Sequence, residues 1–375
     1  MPVLAKTCDV LVIGGGPAGS TAAALLAERG LDVVLLEKDG HPRFHIGESL
    51  LPRNLAIFER LGLRDAVHKI GVIKPGAEFV SDETGQSITF EFAKGIDRTY
   101  THAYQVRRAE LDQLLFENAR RKGARAAEHT RVTEASFGRS VRAAVTARRD
   151  DGCILRYAPR FVLDASGRDT FLASRMRLKR PDKSNNTAAV FAHFRNVEAR
   201  TGERAGCITV HLAKDGWFWM IPLPDGIMSV GFVGTQTAFR NRAVPIREFL
   251  RDRIRRSPTV SSRMKNSELV SDIMSAGNYS YRAEAGWGEG YLMIGDAFGF
   301  IDPVFSSGVL LAMQAGEMGA DAASAWLRDP ASGRRSAKRT DRKLRHSMDR
   351  LGWMIYRIND PVMRRLFLAP RDAFG

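Results

Sequence analysis

Gly14, Gly16 and Gly19 sit inside the stretch DVLVIGGGPAG, residues 9–19. An apolar run followed at once by G-x-G-x-x-G is a pattern by which a backbone holds a pyrophosphate. The first glycine allows the tight turn, the second lets the backbone approach the phosphates, and the third lets helix and strand pack closely. The pyrophosphate then rests on the N-terminus of the following helix, where unpaired N–H groups and the helix dipole favour an anion. Glu37 closes the next apolar run, LDVVLL at 31–36, and is placed to accept hydrogen bonds from ribose hydroxyls. The chemistry implied is the binding of a dinucleotide.

The elements that must position these residues are legible nearby. VLVI is a short strand, a helix begins at about Ala18 and closes at Gly30, and Leu31–Leu36 is a second strand. This is a βαβ unit, the context the glycine spacing requires. Residues 76–92 predict a hairpin around Asp82–Gly85. Residues 106–123 predict a helix with Leu111, Leu114, Leu115 and Ala119 on its apolar face. Residues 159–164 predict a strand running into Ala165-Ser166-Gly167. From about Ala188 to Gly234 apolar and polar residues alternate as in strands, 289–296 return to the parallel sheet, and a helix starts at about Ser307.

The fold class expected is therefore α/β: a Rossmann-like dinucleotide domain with an interleaved β-rich substrate domain and a helical C-terminal tail. The dinucleotide domain is discontinuous over 1–75, 100–185 and 280–328. The β-rich domain takes 76–99 and 186–279, and the basic tail takes 329–375.

A hydrophobic content of 44% with 26% charged residues suits a globular chain with a sizeable core. Cys8, Cys153 and Cys207 are widely spaced, odd in number and without a metal pattern. No metal and no disulfide framework are expected, and the compartment expected is the cytoplasm. The N-terminus does not read as a signal peptide. No apolar run approaches the roughly 20 residues of a membrane span. The formal net charge is +15, with basic patches at Arg120–Arg125, Arg251–Arg256 and Arg334–Arg345. No nucleic-acid motif accompanies them, so nucleic acid is not an expected partner. The two readings that carry weight are solvated helix faces and an acidic protein partner steered by the field, such as an acyl or peptidyl carrier protein.

Glu37, Asp164-Ala165-Ser166-Gly167 and Gly295-Asp296-Ala297 recur in this spacing in flavoproteins that resemble para-hydroxybenzoate hydroxylase. Three further segments narrow the resemblance to flavin-dependent halogenases: RFHIGESLLP (43–52), WFWMIP (217–222) and GDAFGFIDPVFSSGV (295–309). It covers most of residues 8–320. It implies FAD, used as FADH2, with contacts from Gly14, Gly16, Pro17, Ala18, Gly19 and Glu37. Lys38, Arg43, Ser49, Asp296 and Gly308 are implied as further cofactor contacts. One arginine near the cofactor is implied as well, either Arg107 or Arg108, of which Arg107 is taken.

The family chemistry so implied uses oxygen and chloride or bromide. Halide is oxidised to hypohalous acid, which travels through the protein to a lysine, and an electron-rich aromatic ring then attacks the halogen. Lys74 in GVIKPGAEF (71–79) resembles that lysine, with Lys69 a weaker rival. Backbone N–H groups of Ser307 and Gly308 are implied to hold the halide, and a side chain of Ser306 or Ser307 is expected to cap the helix there. Trp217 and Trp219 share strand parity, so both face one side. The resemblance makes them a screen between flavin and substrate, and a place in the core fits them equally.

Tryptophan halogenases carry a glutamate just before the corresponding turn. Residues 302–306 (DPVFS) carry none, which favours a phenol or pyrrole substrate. The chain also ends at Gly375, sooner than tryptophan halogenases do, which points to a small or open pocket, a carrier-tethered substrate or a truncated chain. A separate flavin reductase is the expected partner, because no second nucleotide fingerprint is present. A flavin-dependent aromatic monooxygenase or a geranylgeranyl-reductase-like oxidoreductase would share the fold without needing Lys74. A non-catalytic flavin-binding protein is the third reading.

Overall fold

The computed structural model describes residues 5–138, 142–182, 187–277 and 280–357, together with 362, 367 and 368. A central sheet is built on the strand Lys6–Ile13, which pairs in parallel with Val33–Leu36 on one side and Ile154–Asp164 on the other. Tyr291–Met293 and Arg125–Ala127 extend the parallel part outward. The central strands are nearly continuous apolar runs because both faces are covered. Val10 and Val12 face the helices Pro17–Glu28, Arg108–Arg121 and Gly308–Arg328. Leu11 and Ile13 face a second cluster with Val132, Val145 and Ala147, contributed by the antiparallel pair Thr130–Ser136 and Ala144–Arg149. The sheet is thus helix-covered on one face and strand-covered on the other.

A second sheet of eight strands carries most of 187–277, and the predicted hairpin Gly76–Ser81/Ser87–Glu91 joins its edge. Along Gly216–Leu223 the side chains alternate as strand geometry demands. Trp217, Trp219 and Ile221 face the larger core, while Phe218 and Met220 face a separate cluster with Phe249 and Leu250 of the helix Ile246–Arg256.

A short antiparallel pair joins Gly71–Lys74 to Ala103–Val106, and Ser49 bridges to Gln105 on the far side of the latter strand. The helix Pro330–Arg357 packs on Gly308–Arg328 through residues at three- and four-residue spacing, among them Gly333, Ala337, Leu344 and Met348. Several arginines of the basic patches are engaged in surface ion pairs, including Arg125 with Asp32, Arg256 with Asp252 and Arg334 with Glu289. Among the described residues no helix is long and apolar enough to cross a membrane, and no cluster suits a metal ion.

Candidate active site

The parallel strands end together around one crevice, at the point where the two neighbours of Lys6–Ile13 diverge. Gly14 N–H donates to Leu36 O and Ala165 N–H to Ile13 O, which ties the strand ends to one another. A cavity of about 490 Å³ opens there. That lies in the range of small-molecule sites, roughly 300–1,000 Å³.

The three glycines have different reasons for being glycine. Gly14 stands at φ +100°, and a Cβ there would meet Ala165 O at 2.3 Å. A Cβ on Gly19 would lie 1.9 Å from Gly14 O, so helix and loop close on each other only without it. Gly16 is otherwise: its nearest neighbour would be Arg43 Nη2 at 3.8 Å, in the cavity itself. The space beside Gly16 is therefore kept for something other than protein. Pro17 and Ala18 open the helix on the same wall, and Glu37, Lys38 and Arg43 line it as well. Glu37 accepts from Gly15 N–H (2.7 Å) and Asp39 N–H (3.0 Å), which fixes its carboxylate while each oxygen keeps a lone pair. Lys38 pairs with Asp169 across the cavity mouth. These groups fit a dinucleotide.

Asp296 lines the cavity in the turn Gly295–Ala297. Desolvation pushes its carboxyl up to about 6, against the lowering pull of Arg108 and Arg168. Arg108, not Arg107, lines the cavity. Its guanidinium donates to both Asp112 oxygens (2.9 and 3.1 Å) and to Ile46 O (2.9 Å). Burial would raise the Asp112 carboxyl, but Arg108 holds it below the ordinary value. Arg107 turns away, to Pro224 O and Asp225. Arg107 is the residue before the helix Arg108–Arg121 and Arg108 its first residue, so the turn of backbone between them sends the two side chains apart.

Trp217 and Trp219 form a wall of the cavity together with Ile221. Their rings lie 5.9 Å apart and tilted, and Trp219 Nε1–H donates to Ser229 Oγ at 3.1 Å. The cross-strand partner of Trp219 is Gly231, where a Cβ would come within 2.2 Å of the indole. We expect Gly231→Ala to push the Trp219 ring off this wall at a cost of about 1–3 kcal/mol. A lower melting temperature with shifted tryptophan emission would show it. An unchanged emission would mean that the indole has other room.

Lys74 is fully buried, 1% exposed, and ends the strand Gly71–Lys74. Its Nζ donates to Ser49 Oγ and Leu50 O, both at 2.8 Å. Burial lowers it to about 7, with Cys207 pulling weakly the other way. Ser49 itself lines the cavity, so the amine stands one side chain behind the cavity wall. Lys69 is exposed on the helix Arg64–Ile70.

Ser306 and Gly308 also line the cavity, and Gly308 is the first residue of a 21-residue helix. Amides at that position have no intrahelical acceptor. Neither serine caps the helix, contrary to expectation: Ser306 is at φ +58°, and Ser307 Oγ is buried without a hydrogen-bond partner. The capping rule fails because Ser307 takes helical dihedrals instead of the extended ones a cap needs.

A sequence-family model described as an FAD binding domain matches residues 7–338. The chain is 34% identical to the myxobacterial chondrochloren halogenase CndH, whose structure it matches with a TM-score of 0.88 over 93% of this chain and 82% of that one. The chain belongs to the flavin-dependent halogenases. Among its relatives in this family is a tryptophan 2-halogenase from Chondromyces crocatus, 35% identical over 83% of this chain. A 1H-pyrrole-2-carbonyl-[peptidyl-carrier protein] chlorinase from Pseudomonas fluorescens is 29% identical over 81% of this chain and 73% of its own length. This halogenase-family chain spans 60% of the length of the tryptophan 2-halogenase. The family's FAD-binding fold accounts for the cavity, the glycine loop and the strand ends that frame it.

Sequence reasoning passed over Glu48 and His193, which meet at the cavity's edge. The signal for Glu48 was its place inside the GES stretch. His193 carried none, because only the sheet brings it there.

Proposed function

We propose that this chain is an FADH2-dependent halogenase that uses oxygen and chloride or bromide to halogenate an electron-rich phenol or pyrrole. The observation that carries the reading is Lys74, an amine buried behind the wall of a cofactor cavity and brought by desolvation to about 7. Near neutral pH such an amine exists in both protonation states. It can donate a hydrogen bond to hypohalous acid or accept its halogen. When bound, reduced FAD would supply two of the four electrons that oxygen takes up and halide the other two, with hypohalous acid, water and oxidised FAD as products.

The protein's own part is positioning. The Gly14–Gly19 loop and the Pro17 helix end would hold the pyrophosphate, Glu37 the adenosine ribose, and Asp296 and Arg108 the middle of the cofactor. The Gly308 amide, with that of Ser307, would hold halide at the helix N-terminus. Trp217 and Trp219 would keep the aromatic substrate away from the flavin, so that only a small oxidant passes. Ser49 and the Leu50 carbonyl would orient the Lys74 amine.

A carrier-tethered substrate is supported by the relative that chlorinates a pyrrolyl-carrier protein, and by a +15 surface suited to an acidic carrier. Three free thiols suit the cytoplasm, and a separate reductase would supply the reduced flavin.

The test is mass spectrometry of reactions with a flavin reductase, NADH, FAD, halide, and free or carrier-bound phenols and pyrroles. Replacement of one hydrogen by one halogen, with its isotope pattern, is the expected result. A gain of one oxygen or of two hydrogens would replace this reading with a hydroxylase or a reductase.

A further inference from the structure

Glu48 is 1% exposed and lines the cavity. His193 Nε2 lies 2.7 Å from Glu48 Oε1, so with an ionised carboxylate the imidazole donates and Nε2 carries the proton. The other oxygen, Oε2, is buried and has no hydrogen-bond partner. A carboxylate oxygen shut away from water without a donor is expensive. The backbone N–H of His193 donates to Ser271 Oγ, and the Phe44 ring leans on its imidazole.

The position of the pair narrows what could satisfy Oε2. His193 is the cross-strand neighbour of Ser229, and Ser229 Oγ takes the indole N–H of Trp219. Glu48 therefore stands by the tryptophan wall, whereas Gly14, Gly16 and Glu37 mark the other end, suited to the adenosine and pyrophosphate. Phosphates and flavin carbonyls only accept hydrogen bonds and cannot serve an orphan acceptor. Of the donors FAD does carry, the adenosine and ribityl groups would fall to Glu37 and Asp296, and the flavin ring offers N–H donors, one at all times and a further one when reduced.

We infer that the Glu48–His193 pair is a hydrogen-bond acceptor site for an N–H of the flavin ring, with Glu48 making the contact and His193 positioning it. The inference rests on FAD occupying this cavity. Binding of FAD by the wild-type apoprotein tests that premise separately.

The experiment measures FAD and ADP dissociation constants and apoprotein melting for wild type, Glu48→Leu and Glu48→Gln. Leucine fills the volume without the charge. Its FAD affinity is expected to fall roughly 10- to 100-fold, the range for losing a hydrogen bond to a charged group. ADP lacks the flavin ring, so its affinity should stay within about twofold, the usual scatter for independent sites. The apoprotein should melt close to the wild-type temperature, because the relief of a buried charge is offset by leaving the His193 donor without its acceptor. Glutamine keeps one acceptor oxygen for the ring if its NH2 turns to His193, whose Nε2 then accepts with the proton moved to Nδ1, and it should restore most of the FAD affinity. Two results would each overturn the inference: FAD binding unchanged in Glu48→Leu, or FAD and ADP weakened alike. Failure of glutamine to rescue would overturn it as well.

Discussion

Lys74→Ala is expected to abolish halogenated product, a loss on the order of 10²- to 10⁴-fold if the amine acts as a proton or halogen relay. The variant should still bind FAD, and reduced flavin should still reoxidise in air, because Lys74 is not among the residues lining the cofactor cavity. Product assay by mass spectrometry beside flavin absorbance separates the two. Retained halogenation would remove the lysine from the mechanism and favour a hydroxylase-like site.

Lys74 also makes a statement about stability. Its folded value of about 7 lies below the ordinary 10.5. The folded state therefore holds fewer protons than the unfolded chain between those pH values, and stability rises with pH across that window. The penalty is fully present below about pH 7 and vanishes above about 10.5, and its size is on the order of a few kcal/mol. Lys74→Met should be more stable than wild type at pH 6, with the gap closing by pH 10. Denaturant midpoints at the two pH values measure it. A gap independent of pH would mean that the amine does not titrate on folding.

Gly16→Val is the second large effect, because it should empty the site of FAD while sparing the fold. The backbone at Gly16 (φ −74°, ψ −173°) is open to any residue, and a Cβ meets nothing closer than 3.8 Å. The side chain would project into the space reserved for ligand. Melting of the apoprotein should change by no more than about 0.5 kcal/mol, as for a site without packing neighbours. Gly19→Ala is the contrast: its methyl would lie 1.9 Å from Gly14 O, so stability and FAD binding should fall together. FAD content after purification and apoprotein melting decide the matter. A Gly16→Val protein that retains FAD would place the pyrophosphate elsewhere.

The glycine spacing, the alternation of Trp217 and Trp219 and the apolar strand runs are local patterns. Backbone sterics and a period of two or 3.6 residues read directly from sequence, so the α/β class and the first βαβ unit were legible there. The family resemblance drew on the same short segments. The Arg107/Arg108 choice was not legible, because it turns on the dihedrals at the first residue of a helix, where one position redirects a side chain. Capping by Ser306 or Ser307 failed for a similar reason: the type of residue was right, but the backbone around it takes a left-handed and then a helical conformation.

By itself, the sequence determined that this chain binds a dinucleotide, carries the motifs of a flavin-dependent halogenase and holds Lys74 in a segment of that family. Only the tertiary structure decided that Lys74 is buried against Ser49 and Leu50, 25 and 24 positions away, and is thereby shifted toward neutrality. Only it brought His193 to Glu48 across 145 positions. The physical reason is common to both. Desolvation and pairing depend on what surrounds a group in space, and a strand register formed between distant segments fixes those surroundings, which no local period encodes.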